Sequence, residues 1–148
     1  MRRGGVVVAA AAAAAALLTL PGATLPQEQP VAAIDTHRSG MICLAAIYVA
    51  VEQIASRCDT DLDVGQVEAL RRSIAKMDNH LVVHGWTDEN LSAFKTQMSN
   101  AEATDDQMCS GDGLEFANAM SRSPAEQIEA QADAMIALPG PPAWGTCL

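Results

Sequence analysis

The sequence predicts an all-α protein: a small, disulfide-stapled bundle of four to five helices behind a cleaved signal peptide. Three observations carry this. Apolar residues recur at spacings of three and four along several segments, no segment alternates with the two-residue period of a half-buried strand, and four cysteines follow a start that reads as an export signal. At 148 residues the chain is expected to hold one domain, because two cores would each sit near the lower size limit of independent stability.

The first element is the targeting segment. Met1-Arg2-Arg3 is a short cationic start, and Val6 to Leu20 is an Ala/Val/Leu run interrupted only by Thr19. That run is shorter than the roughly 20 apolar residues that span a bilayer, so a signal peptide over residues 1–23, cut after Ala23, is expected rather than an anchor. Gly-Gly after Arg2-Arg3 displaces the hydrophobic pair of a twin-arginine motif, and no cysteine directly follows the apolar run to accept a lipid. Removing 23 residues from 148 leaves 125, and losing Arg2 and Arg3 takes the net charge from −9 to −11. Residues 24–37 carry Pro26 and Pro30 without helical period and are expected to form a flexible leader, with a single helical domain over 38–148.

From Gly40 to Arg57 the apolar run Met41–Val51 is followed by Glu52-Gln53-Ile54-Ala55-Ser56-Arg57. Its Ile, Tyr and Val content favours a strand. Its length and polar continuation favour a helix buried nearly all round, and the helix is the reading adopted. Val64, Val67, Leu70, Ile74, Met77 and Leu81 then mark an amphipathic helix, opened by a capping box of Asp63 and Gln66 and closed at Gly85-Trp86. Thr87 is the expected cap of a third helix with Asp88 and Glu89 in its first turn and Leu91, Phe94, Met98 and Ala101 on its apolar face. The polar run Glu102–Gly113 predicts a break. Leu114, Phe116, Ala117 and Met120 follow on a short helix capped by Asp112 and Glu115. Ser123-Pro124-Ala125-Glu126 reads as cap, first helical position and acidic third residue of a last helix, with Ile128, Ala132, Met135 and Leu138 inward. Pro139-Gly140-Pro141-Pro142 ends it and begins a Pro-rich tail.

Four cysteines in an exported chain predict a disulfide framework, and helix geometry selects the pairing. Cys43 and Cys58 lie fifteen residues apart on one helix, roughly 22 Å, whereas a bridge needs Cα atoms within about 7 Å. If consecutive helices run antiparallel, the third brings Cys109 back to the end that holds Cys58. Cys43 is left at the other end, within reach of Cys147, since the roughly ten residues after Leu138 extend to about 33 Å. The expected pairs are Cys58–Cys109 and Cys43–Cys147. A zinc site of the same four thiolates lacks the short paired loops such sites use.

Charge and composition exclude classes of function. A net charge of −9 opposes phosphate backbones, and the five aromatic residues are too scattered for a base-stacking platform, so nucleic acid is not an expected partner. Stable membrane insertion after signal cleavage is not expected either. His80 and His84 are four apart, the spacing at which two imidazoles reach one metal, but the intervening Leu-Val-Val supplies no glutamate base. Asp78, Asp88 or His37 could complete a ligand set. The expected reading of the pair is two partly exposed histidines at a helix end. Asp59, Asp61 and Asp63 match the first positions of a calcium loop, yet Gly65 falls one position late and Leu70 stands where a bidentate Glu is needed. Ser110, between Cys109 and Gly111, has no base nearby in sequence, and Asp105-Asp106 reads as solvated. Met41, Met77, Met98, Met108, Met120 and Met135 are expected mainly in the core rather than on a soft metal. No motif places the chain in a named family. The expectation is a periplasmic or secreted, non-enzymatic protein that binds a protein partner and needs no cofactor. The alternative is a small metal-binding protein or enzyme built on His80, His84 and nearby carboxylates.

Overall fold

A computed structural model describes residues 40–145 and shows an all-helical fold in that region. Six helices follow one another among the described residues: α1 (Met41–Arg57), α2 (Val64–Val83), α3 (Asp88–Met98), α4 (Asp105–Met108), α5 (Asp112–Met120) and α6 (Ala125–Ile136). No described helix is long and apolar enough to cross a membrane.

α1 is the hub. Met41, Ile42, Cys43, Leu44, Ala45, Tyr48, Val49 and Val51 are buried, and α2, α3, α5 and α6 all pack on it. Burial on several faces explains why the segment reads as continuously apolar rather than amphipathic. Tyr48 shows how a polar atom is accommodated there: the residue is 1% exposed, and its hydroxyl donates to the Ile128 carbonyl at 3.0 Å, with Gln131 Oε1 a second acceptor at 3.2 Å. Burial pushes that phenol up to about 12 from its ordinary 10.

α2 opens with the expected capping box. Asp63 accepts from the Gln66 amide at 2.8 Å, and the Gln66 side chain accepts from the Asp63 amide at 2.9 Å. Gln66 also turns inward, donating from Nε2 to the carbonyls of Ser121 and Ser123, each at 2.7 Å. Further along, Arg72 donates to Glu129 at 2.7 Å and Lys76 to Asp133 at 2.8 Å. These contacts all join residues 57 apart in sequence, save the Ser121 bond, so α2 and α6 run parallel and in register. Their seam is the most extensive helix contact among the described residues. Ser73, fully buried on α2, has a hydroxyl with no hydrogen-bond partner among the described residues.

Several expectations are corrected. Val64 was expected on the apolar face, but it occupies the first helical position ahead of the packed turn and is 76% exposed. Ala101 does not belong to α3: Asn100 adopts φ 48°, a left-handed conformation that ends the helix first. The polar run Glu102–Gly113 is not wholly a break, because Thr104 and Gln107 form a capping box around the single turn α4 and bury Met108. α5 is capped by neither Asp112 nor Glu115. Gly111, at φ 72°, is its N-cap, and both acids lie in the first turn, where they face the positive end of the dipole. Ser123 does not cap α6. Pro124 stays extended at ψ 154° and becomes the boundary residue, which leaves the Ser123 carbonyl for Gln66. Leu138 lies past the end of α6 and is exposed.

Candidate functional site

The two poles of the bundle are tied differently. At the end of α1, Cys58 and Cys109 are disulfide-bonded with Cα atoms 5.3 Å apart, closing a sequence separation of 51. Arg57 braces this pole, donating to Asp105 at 2.7 Å and to the Ala103 carbonyl at 2.9 Å. α3 packs on α1, and Cys109, at the C-terminal end of the single turn α4, meets Cys58 there. At the start of α1, the Ile42 amide donates to the Ala143 carbonyl at 3.2 Å, so the Pro-rich tail runs back beside the first turn. Trp86, Phe94 and Trp144 form an edge-on aromatic chain, with centroids 5.7 and 6.2 Å apart. Cys43 is disulfide-bonded. Its expected partner Cys147 lies outside the described residues.

The acidic residues singled out by sequence do not assemble a cation site. Asp63 caps α2, and the Asp61 amide donates to Asn118 at 2.9 Å. Among the described residues no group of three or more His, Cys, Asp or Glu side chains is placed to hold a metal. Asp105 and Asp106 stand in the first turn of α4, and the Ser110 hydroxyl donates to the Asp106 carbonyl at 2.6 Å. That serine closes a turn and is not presented to a base.

His80 and His84 do come together. Their ring centroids are 4.5 Å apart with planes inclined at 52°. His80 is half-buried and His84 exposed, and the His80 imidazole is held below its usual value by burial and then by its neighbour His84. Asp78 is paired with Lys95, and His37 lies outside the described residues.

A second feature was not foreseen. α1, α5 and α6 enclose a cleft of about 240 Å³ whose apolar wall includes Leu44, Ile47, Phe116, Met120 and Met135. Cys43, Ser123, Gln131 and the Tyr48 ring also border it. Phe116, at the edge of the cleft, is 39% exposed. The space is smaller than the roughly 300–1,000 Å³ of ordinary small-molecule sites and suits one large side chain. The stretch that supplies two of its walls is one-sided in charge. From residue 112 to residue 136 the chain carries Asp112, Glu115, Glu126, Glu129 and Asp133 against the single cation Arg122. Glu129 and Asp133 are neutralised by Arg72 and Lys76, whereas Asp112, Glu115 and Glu126 have no ion-pair partner among the described residues. The sequence did hold a signal. Leu114, Phe116, Ala117 and Met120 spread over an arc wider than a nine-residue helix needs to face one neighbour, and only Ala117 is fully buried.

The comparisons add no assignment to this geometry: no family model, no curated protein and no solved structure matches the chain.

Proposed function

We propose that this is an exported, non-enzymatic helical module that binds a protein partner through the cleft between α1, α5 and α6. The partner segment presents one large apolar side chain flanked by cationic residues. The cleft carries the reading. Phe116, Met120 and Met135 form an adaptable rim over a rigid floor, and methionine surfaces of this kind accommodate peptide side chains of different shape. The unpaired carboxylates of Asp112 and Glu115, in the first turn of the helix that carries Phe116, favour a basic segment and steer its approach. A bundle closed by a disulfide offers this surface with little ordering cost on binding. Export fits the N-terminal pattern and the oxidised cysteines, and the expected compartment is the periplasm or the exterior.

The test uses the oxidised protein labelled at its methionine methyl groups and peptides of about a dozen residues carrying one central Trp or Leu. Lysine-flanked peptides are expected to shift the Met120 and Met135 signals and leave Met77, buried in the core, unmoved. Glutamate-flanked peptides are expected to bind more weakly, and Phe116→Ala is expected to weaken the lysine series. Silence of both cleft methyls throughout the panel, or equal response to either flanking charge, refutes the reading.

A further inference from the structure

We propose that His80 and His84 form a two-imidazole chelate for an exchangeable divalent transition-metal ion, copper(II) foremost, at the C-terminal end of α2. This is independent of the cleft and of any protein partner. His84 is the cap residue of α2, yet its amide still donates to the His80 carbonyl at 3.2 Å, so the two Cα atoms keep the one-turn helical spacing. That spacing brings both rings to the same side of the helix, with centroids 4.5 Å apart. Neither imidazole makes a hydrogen bond or ion pair with another described residue. Their ring nitrogens are therefore not committed to the fold.

The separation suits two imidazoles on one metal ion. A metal lies about 2.0 Å from a ligating imidazole nitrogen, and the ring centre lies about 1.1 Å beyond it. Two such rings bound at a right angle have centres about 4.4 Å apart, and at a tetrahedral angle about 5.1 Å. The 4.5 Å between the two rings is within reach of both arrangements, because no other described side chain holds either imidazole. The order of intrinsic affinities puts copper(II) first for nitrogen ligands. No third His, Cys, Asp or Glu ligand stands beside the two imidazoles among the described residues, and Asp78 is held by Lys95.

The experiment adds copper(II) or zinc(II) salts to the oxidised full chain in a weakly coordinating buffer, read by calorimetry and by the nitrogen splitting in the copper resonance spectrum. One copper(II) per chain is expected, with two nitrogen ligands. His80→Ala and His84→Ala are each expected to weaken binding by more than about tenfold and to remove one nitrogen from the spectrum. His84 is exposed, so its variant is expected to melt at the parent temperature without metal and decides the matter if His80→Ala is poorly folded. Copper binding unchanged by His84→Ala, no stoichiometric binding at about 0.1 mM protein, or tighter zinc than copper binding overturns the proposal.

Discussion

Gln66 joins three parts of the structure through one buried side chain, and its removal has a calculable effect. Its amide group donates to the carbonyls of Ser121 and Ser123 and accepts from the Asp63 amide, and the residue is only 5% exposed. Gln66→Leu keeps roughly the same volume but deletes all three bonds and leaves two half-buried carbonyls without these donors. At about 1 kcal/mol net per bond, partly offset by the gain from burying an apolar group, the loss is about 2–3 kcal/mol. For a domain of this size that lowers the melting temperature by about 10–20 °C. Gln66→Glu separates the donor contribution from the acceptor contribution: an ionised carboxylate still accepts from Asp63 but faces the two carbonyl oxygens. Its folded pKa is therefore raised above the ordinary glutamate value, so the variant regains stability at low pH and loses it as pH rises through the folded pKa. Urea titrations near pH 4.5 and pH 7, with unchanged slope, measure both effects. A Gln66→Leu loss below about 0.5 kcal/mol, or a Gln66→Glu midpoint that follows the parent at both pH values, would falsify the claim that this side chain locks α6 onto α2.

Replacing Cys58 and Cys109 by serine opens a loop of 51 residues and is expected to cost about 4 kcal/mol in the chain-entropy account; denaturant midpoints check this, and non-reducing peptide mapping should return the Cys58–Cys109 peptide. Such mapping also tests the remaining pair, and a peptide linking Cys43 to anything but Cys147 would contradict the up-and-down derivation. Tyr48→Phe removes the donor to Ile128 and is expected to cost about 1–2 kcal/mol. Because the folded phenol stays protonated up to about 12, the parent's Tyr48 contribution is intact below pH 10 and declines as pH rises from 10 toward 12, which absorbance titration against Tyr48→Phe resolves. Ser73→Ala takes away a buried hydroxyl that has no partner and is expected to raise stability by about 1 kcal/mol; a loss would show that the hydroxyl is hydrogen-bonded in solution. Mass spectrometry of the exported product should find an N-terminus between about Gly22 and Gln29, and intact Met1 on a membrane-embedded product would restore the anchor reading.

The parts of the fold that were legible in sequence are those decided within a few residues or by chain direction. The Asp63–Gln66 box and the Thr87 cap are local hydrogen-bond patterns, and the structure reproduces them. The Cys58–Cys109 pair followed from helix length and short connections, and the bond is present. What escaped depends on distant partners. α4 is too short to show a period, and its Met108 is buried only because the disulfide brings that turn to the end of α1. Gln66 and Ser73 break the polar-outside rule: Gln66 reaches the carbonyls of Ser121 and Ser123 ahead of α6, and Ser73 is buried by tertiary packing that no pattern within α2 records. The cleft needs three helices to exist, so Phe116 and Met120 looked like ordinary core positions. His80 and His84 were correctly placed one turn apart, but spacing alone gives no ring separation.

The parallel seam between α2 and α6 has a consequence for how quickly the chain reaches its native state. Parallel neighbours cannot be joined by a tight turn, so the largest helix contact requires positions 57 apart to find one another after the intervening elements have been laid down. The disulfide shortens that search. Through the bond, the covalent path from Gln66 to Ser123 is eight residues back to Cys58 and fourteen onward from Cys109, or 22 in place of 57. Loop-closure entropy over those two lengths differs by about 0.8 kcal/mol, roughly a fourfold difference in rate if the seam forms in the transition state. Oxidation of Cys58 and Cys109 before α6 docks would thus act as a folding accelerator, and the oxidised chain should refold several-fold faster than the reduced one.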